Sequence, residues 1–292
     1  MIEGIFVEGL IYSIMALGVF FTFRVLDFPD LTVDGSFPMG AVIMAMSIKS
    51  GISLPVGLLL SLTGGILAGF VTAAIHNYLK VPHLLAGILT MTMLYSINIR
   101  ILGGRANLPL LRVETVMTKV SNLTHRFIPE EIAYLLFFLA VVLIIKLMMD
   151  IFFHTDMGLV FGALGNNQQM VVTQGINPAT MKLIGVGLSN GLVALSGAFA
   201  AQYQGFADIN LGQGIVISGL ASVMLGEFLL KSENISILTT RVILGAILYK
   251  AIMYLGRYYG YYVNLTPNDL KLLSGILIIV SLMITNYKSM RR

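Results

Sequence analysis

Long uncharged apolar runs dominate this chain and leave it few ways to fold. Only 11% of its 292 residues are charged, against ~25% in an ordinary soluble domain. The mean hydropathy is +0.89 and 57% of residues are hydrophobic. A soluble core of this length cannot enclose so much apolar surface. A chain of this kind is expected to be an all-α, polytopic membrane protein.

A span needs about 20 mostly apolar residues. That length gives nine candidate spans, near 2–23, 36–50, 54–78, 84–101, 131–153, 182–203, 214–230, 235–255 and 269–287, within a range of eight to ten. The second is short and is expected to be a broken or re-entrant helix. The N-terminal MIEGIFVEGLIYS lacks a basic leader and a small-x-small cleavage context, so the first span is expected to be retained. Two longer polar segments remain, 102–130 and 154–181. No second domain, linker or low-complexity tract interrupts residues 1–292, which read as one transmembrane domain with halves near 1–150 and 180–292. The net charge of +4 fits loops facing anionic lipid and does not call for nucleic acid. With no cysteine, disulfides and thiol chemistry are excluded.

Charge alone does not orient the chain. Suppose the 154–181 loop and the C-terminal KSMRR lie inside. Then Arg24, Lys80, Lys182, Lys231, Arg241, Lys288, Arg291 and Arg292 are cytoplasmic, while Lys49, Arg100, Arg105, Arg112, Lys119, Arg126, Arg257 and Lys271 are outside. The two sides tie, and the long 102–130 loop, whose charges weigh less, tips the balance slightly toward this choice.

The acids that stand out occupy RVLDFPDLTVDGSFPMG, residues 24–40. Asp27, Asp30 and Asp34 would share a helix face, but Pro29 disfavours helix at Phe28, so a turn entering a helix is expected. Asp30 or Asp34 would then cap that helix. A polar lining of a translocation path and a Mg²⁺ site are the functional alternatives to a capped loop.

Sliding the chain by 178 residues lays 9–34 over 187–212, with seven of 26 positions identical, including Gly9/Gly187, Phe21/Phe199, Phe28/Phe206 and Asp30/Asp208. This relates the first span to the sixth, an odd offset, so the copies would cross in opposite senses. Inverted repeats with interrupted helices mark transporters, and the breaks point to the substrate path. FPDLTVDG and FADINLGQ would be equivalent breaks, sharing Phe-x-Asp. The candidate path and gate residues are Asp27, Phe28, Asp30, Asp34, Asn190, Phe206, Asp208 and Asn210. Phe28, Phe37 and Phe206 would be placed to stack on an aromatic ligand. Asn190 lies mid-span and needs a neighbouring helix or a wet cavity as partner; Lys250 needs an ion partner; Glu227 sits near a span end. The four histidines are scattered without metal-ligand spacing, and there is no P-loop, nucleophile elbow or zinc-protease motif.

The 154–181 loop contains NNQQMVVTQ, amphipathic, too short to span and uncharged. A short helix projecting from a transporter suits a docking element. The segment GLVFGALGNNQQMVVTQGIN, residues 158–177, resembles the G-x-x-x-R-A-x-G-x-N-x-x-x-A-x-x-x-G-I-N loop of the permease family of ABC importers for branched-chain amino acids and simple sugars. Gly158, Ala163, Gly165, Asn167, Gly175, Ile176 and Asn177 match, and Gly162 replaces the usual Arg. The stretch around LDFPDLTVDGSF is similar to a narrower branch, the permeases of tryptophan/tyrosine-type uptake.

The resemblance covers essentially the whole chain. It implies a coupling element made by Gly165, Asn166, Asn167, Gln168, Gln169, Met170, Thr173, Gln174, Gly175, Ile176 and Asn177. It implies cytoplasmic ATP-binding subunits that carry ATP and Mg²⁺, with no cofactor and no catalysis in this chain. It implies an outer solute-binding lipoprotein, a second permease copy as a homodimer, a bacterial cell membrane and a cytoplasmic C-terminus. The expected solute is an aromatic amino acid or similar small organic molecule. A secondary transporter or channel and a Mg²⁺-dependent membrane transferase are the rival readings.

Overall fold

The computed structural model describes residues 2–111, 113–124, 128–230 and 234–260, with Leu272, Gly275, Ile276 and Ile279. Among them the regular structure is helical apart from one small sheet. Helix α1 (Ile2–Phe20) runs into a π-helical turn, Phe21–Val25. After a break come α2 (Val33–Lys49), α3 (Leu54–Leu79) and α4 (His83–Ile101). The first polar segment holds β1 (Asn107–Pro109) and α5 (Val116–Thr124), and α6 (Glu130–Phe153) follows. The second holds α7 (Asp156–Asn166) and α8 (Gln168–Thr173). Then come α9 (Pro178–Gln204), β2 (Phe206–Asp208), a 3-10 turn Ile209–Gly212, α10 (Ile215–Leu229) and α11 (Ile235–Gly260).

Seven of the described helical stretches are long and apolar enough to cross a membrane: 3–25, 54–79, 83–101, 130–153, 178–204, 209–229 and 235–260. The expected short second span is α2, whose 17 residues reach only about 25 Å. Of the expected ninth span, 269–287, only Leu272, Gly275, Ile276 and Ile279 are among the described residues, and the span itself lies outside them. The core is built on α1 and α9, which are 78% and 72% buried along their apolar windows, whereas α4 and α6 are 28% buried and form the periphery. The exposed faces of the outer helices carry Leu59, Leu67, Leu89, Leu143 and Ile144, side chains that suit contact with acyl chains.

The inverted repeat is visible in the packing. Ser189 Oγ donates to the Gly18 carbonyl at 2.6 Å, and Ser196 Oγ donates to the Ile11 carbonyl at 2.7 Å. As one helix is read forward the other is read backward, so α1 and α9 are antiparallel. The shift of 178 carries Gly18 to Ser196 and Ser189 back to Ile11, so the two bonds join counterpart positions with donor and acceptor exchanged. The neighbours obey the same rule. A Cβ on Gly9 would stand 2.8 Å from Ile247 Cα, and one on Gly69 would stand 2.7 Å from Gly187 Cα; the same shift carries Gly9 to Gly187 and Gly69 to Ile247. Thus α3 packs on α9 as α11 packs on α1. Glycine at these crossings lets backbones meet, which is how helices associate where lipid offers no hydrophobic drive.

Strand β1 pairs antiparallel with β2, placing Asn107 opposite Asp208 and Pro109 opposite Phe206. This ties the 102–115 segment to the second break, at the end of α9 remote from α7 and α8.

Candidate translocation and coupling sites

The first break begins where α1 widens. Leu26 N–H reaches Phe21 O at 3.0 Å, Phe28 N–H reaches Thr22 O at 2.9 Å, and Asp27 between them adopts φ +49. This is a C-terminal cap with one extra residue wound in. Asp27 is exposed. Phe28 is enclosed, its ring 5.3 Å from that of His76 and 5.1 Å from that of His83, so it faces two histidines and not open space.

Asp30 is fully enclosed. Its Oδ1 accepts from Thr32 N at 2.8 Å and its Oδ2 from Asn190 Nδ2 at 2.6 Å. Asn190 is equally buried, also donates to Val186 O at 2.9 Å, and accepts from Ser36 Oγ. Burial in the break between helices raises the Asp30 carboxyl above its ordinary range, and the Thr32 and Asn190 hydrogen bonds oppose that rise. Thr32 Oγ1 also meets Thr72 Oγ1 at 2.6 Å, joining the break to α3. Asp30 and Asn190 are therefore an interior lock between the two halves; in this conformation neither reaches a surface.

The second break repeats the turn in another setting. Asp208 Oδ1 accepts from Asn210 N at 2.7 Å, the same i to i+2 bond that Asp30 makes, while its Oδ2 accepts from Asn107 Nδ2 at 3.0 Å. Asn210 is exposed, and Asp208 and Phe206 are partly buried. The two Phe-x-Asp motifs thus share local geometry and differ in burial.

Asp34 departs from the expectation that it caps its own helix. It lies in the first turn of α2, and Thr32 occupies the cap position without a side-chain bond. Its carboxylate instead accepts from Gly214 N at 2.9 Å and Val216 N at 2.8 Å, so it caps α10 of the other half. The donors at a helix start lack partners within their own helix, and a carboxylate satisfies them from any direction. Asp34→Ala is expected to cost about 1–2 kcal/mol, read as a lowered melting temperature in detergent, while Asp34→Asn retains an acceptor and loses less. The three acids end in three separate environments: an exposed turn, an interior lock and a foreign helix start. They do not converge on a common ion.

The other polar residues also gain partners. Lys250 Nζ donates to Glu8 Oε2 at 3.2 Å and sits 3.2 Å from the Tyr12 ring centre. Glu227 joins Arg24 and Arg241, each at 3.0 Å. His76 and His83, scattered in sequence, stand with ring centres 4.8 Å apart, and His76 Nε2 lies 3.4 Å from Lys182 Nζ. That cluster was not legible from spacing, because the α3–α4 turn and α9 assemble it.

The coupling segment is two short helices. Thr155 Oγ1 accepts from Gly158 N at 3.3 Å and starts α7; Asn167 Oδ1 accepts from Met170 N at 3.2 Å and starts α8; Asn177 Oδ1 accepts from Ala179 N at 2.9 Å and starts α9. Gly175 takes φ +81 and ends the hairpin. Asn166, Asn167, Gln168, Gln169, Met170, Thr173 and Gln174 are exposed, Ile176 is partly buried, and Val171 is the buried anchor of α8. At Gly165 a Cβ would stand 2.1 Å from Val25 O, so α7 lies against the end of the π turn. Gly162 is exposed and a Cβ there would meet nothing within 4 Å. Gly162→Arg is therefore expected to leave the stability within about 0.5 kcal/mol of the parent, read as a nearly unchanged melting temperature.

An antiparallel helical repeat, two interrupted helix pairs meeting across it, and a projecting capped hairpin at one end define a membrane transport permease. Residues 1–282 match the family described as "Branched-chain amino acid transport system / permease component", and the chain belongs to that family. It is thus a multi-pass permease subunit of an ABC transporter, of a kind that works with ATP-binding subunits and binding proteins. It is 41% identical over 96% of its length, and 90% of the other's, to the "Tyrosine transport system permease protein" of Clostridioides difficile. It is 28% identical to the "Autoinducer 2 import system permease protein LsrC" of Photorhabdus luminescens over 75% of this chain and 62% of that one. The solved structure of PsaBC from Streptococcus pneumoniae in complex with Fab shares the fold, with a TM-score of 0.55 at 17% identity, covering 95% of this chain and 89% of that chain.

Proposed function

We propose that the chain is the permease of a bacterial importer for tyrosine or a related aromatic amino acid, resident in the cell membrane with its C-terminus cytoplasmic. Two copies enclose the path between them. ATP and Mg²⁺ stay on the partner ATPase, and this chain catalyses no reaction of its own. The partner's groove receives the Asn166–Gln174 region, with α8 at its centre, and the solute-binding lipoprotein approaches the opposite end, where β1 and β2 pair. The observation that carries this reading is the hairpin itself: an uncharged helix, capped at its start, exposed along its length and held by one buried anchor, Val171. Asp34, Phe206, Asp208 and Asn210, exposed or partly exposed at the interrupted helices, are the candidates for contact with the moving solute. Asp27, Phe28, Asp30 and Asn190 act from behind, by fixing the first break.

Converting Gln168 and Gln169 together to Glu should leave insertion intact while separating ATP hydrolysis from uptake. Unchanged uptake in membrane vesicles would remove the docking assignment. The solute is identified with the cognate binding protein, by thermal shift against tyrosine, tryptophan, phenylalanine and the branched-chain amino acids. A shift with only the last group would overturn the aromatic assignment.

A further inference from the structure

The π turn Phe21–Val25 meets several separate parts of the protein. Phe161 of α7 is fully enclosed, and its ring lies 5.2 Å from that of Phe21 and 5.8 Å from that of Phe152. Gly165 of α7 abuts the Val25 carbonyl. A Cβ on Gly185 of α9 would stand 2.9 Å from the Phe161 ring and 3.1 Å from Leu26 Cδ2, so α7 and the start of the break press on the same spot of α9. On its other side the turn binds the second half, through Arg24 Nε to Glu227 at 3.0 Å. Its first two carbonyls, those of Phe21 and Thr22, accept from Leu26 N and Phe28 N and so hold the chain, through the left-handed Asp27, as it enters the segment that contains Asp30.

These contacts leave little room for the hairpin to move alone. Rings packed edge to face and a backbone met without a side chain between them behave as one body. A π turn contains one residue more than the helix it interrupts, and such turns are rare and gather at functional sites. It can take up a shift of register without unwinding α1. A non-glycine residue at φ +49 marks where the backbone turns sharply after it.

We infer that Phe161 is a positioning residue for transport: it couples displacement of the α7–α8 hairpin to the π turn of α1, and through Asp27 to the buried Asp30–Asn190 lock. This rests on the reading that α8 docks an ATPase. The chain contains no cysteine, so one introduced thiol is the single labelling site on this chain, read from its own band after the subunits are separated. Asp27→Cys places it on the exposed residue next to the turn. The full complex with the ATP-binding subunit is labelled with a membrane-impermeant maleimide, with and without ATP and Mg²⁺.

With Phe161 intact, nucleotide should change the labelling rate by about fivefold or more. In Phe161→Ala, and in the more conservative Phe161→Leu, that change should be lost while the ATPase still co-purifies. Leu147→Ala, on the outer face of α6 and 56% exposed, should retain it. A nucleotide response that persists in both Phe161 variants overturns the inference, and so does its absence in the parent complex. An ATPase that fails to co-purify with the parent chain overturns the docking assignment instead. Reduced thermal stability with an intact nucleotide response would make Phe161 a packing residue only, which also counts against the inference.

Discussion

Asp30→Ala should lower the stability of the protein by roughly 2–4 kcal/mol and abolish uptake, because it strips two buried donors of their acceptor at once. Thr32 N would lose its only described partner, and Asn190 Nδ2 would keep only Val186 O. Hydrogen bonds to a carboxylate are worth about 1.5–3 kcal/mol each, and an orphaned buried donor costs about 1–3 kcal/mol. Bonds between transmembrane helices often measure nearer 0.6 kcal/mol, because the unfolded spans find other partners in the membrane. The higher range applies here because the Thr32 donor is backbone in a non-helical segment, where no helical carbonyl can replace the lost acceptor. Asp30→Asn keeps an acceptor but sets one amide against another, and should fall between. Exchanging the groups, Asp30→Asn with Asn190→Asp, should recover part of the loss, with a coupling energy of about 1–3 kcal/mol in the thermal cycle. Additive effects would show that Asp30 and Asn190 do not act as a pair.

The second large effect lies where α2 crosses α9. A Cβ on Gly40 would stand 1.8 Å from Ala194 O, and one on Gly197 would stand 1.9 Å from Phe37 O. The obstacles are backbone atoms, so no rotamer change relieves them. Each of Gly40→Leu and Gly197→Leu should separate α2 from α9, break the Ser36–Asn190 contact nearby and leave little folded protein in the membrane; overpacking a tight contact costs about 1–3 kcal/mol or more. Gly162→Leu on the exposed side of α7 is the matched control, since a Cβ there meets nothing within 4 Å. Equal yields of the three variants in membranes, measured by size-exclusion profile in detergent, would contradict the close crossing.

Hydropathy and helix breakers made the long helices legible, including the shortness of α2. The repeat was legible from Gly9/Gly187 and Asp30/Asp208, since glycines at crossings and acids in turns resist replacement by another apolar residue. What stayed hidden was which distant segments meet. Nothing in the periodicity of α2 says that Asp34 serves α10, because a cap requires only a nearby helix start. Phe28 reads as a ligand-stacking candidate until His76 and His83 are seen around it. The pairing of Asn107 with Asp208 joins strands of three residues, too brief for any alternation. The π turn leaves no hydropathy signal, because Phe21 to Val25 would suit an ordinary helix equally well.

Pro38 sits within α2 and has no N–H to give the carbonyl four residues earlier, that of Asp34. Gly212 fills the vacancy: a Cβ there would lie 1.9 Å from Asp34 O. Position 212 is also the counterpart of position 34 under the shift of 178, so a residue here touches its own twin. Two copies of one segment can share every contact that has a distinct counterpart, but not this one. If both positions held aspartate, the side chain of one would occupy the backbone of the other. One half has to surrender its side chain for the other to keep one. The halves of such a molecule are therefore forced to differ first where they touch, and any search for likeness between them is weakest along their own axis.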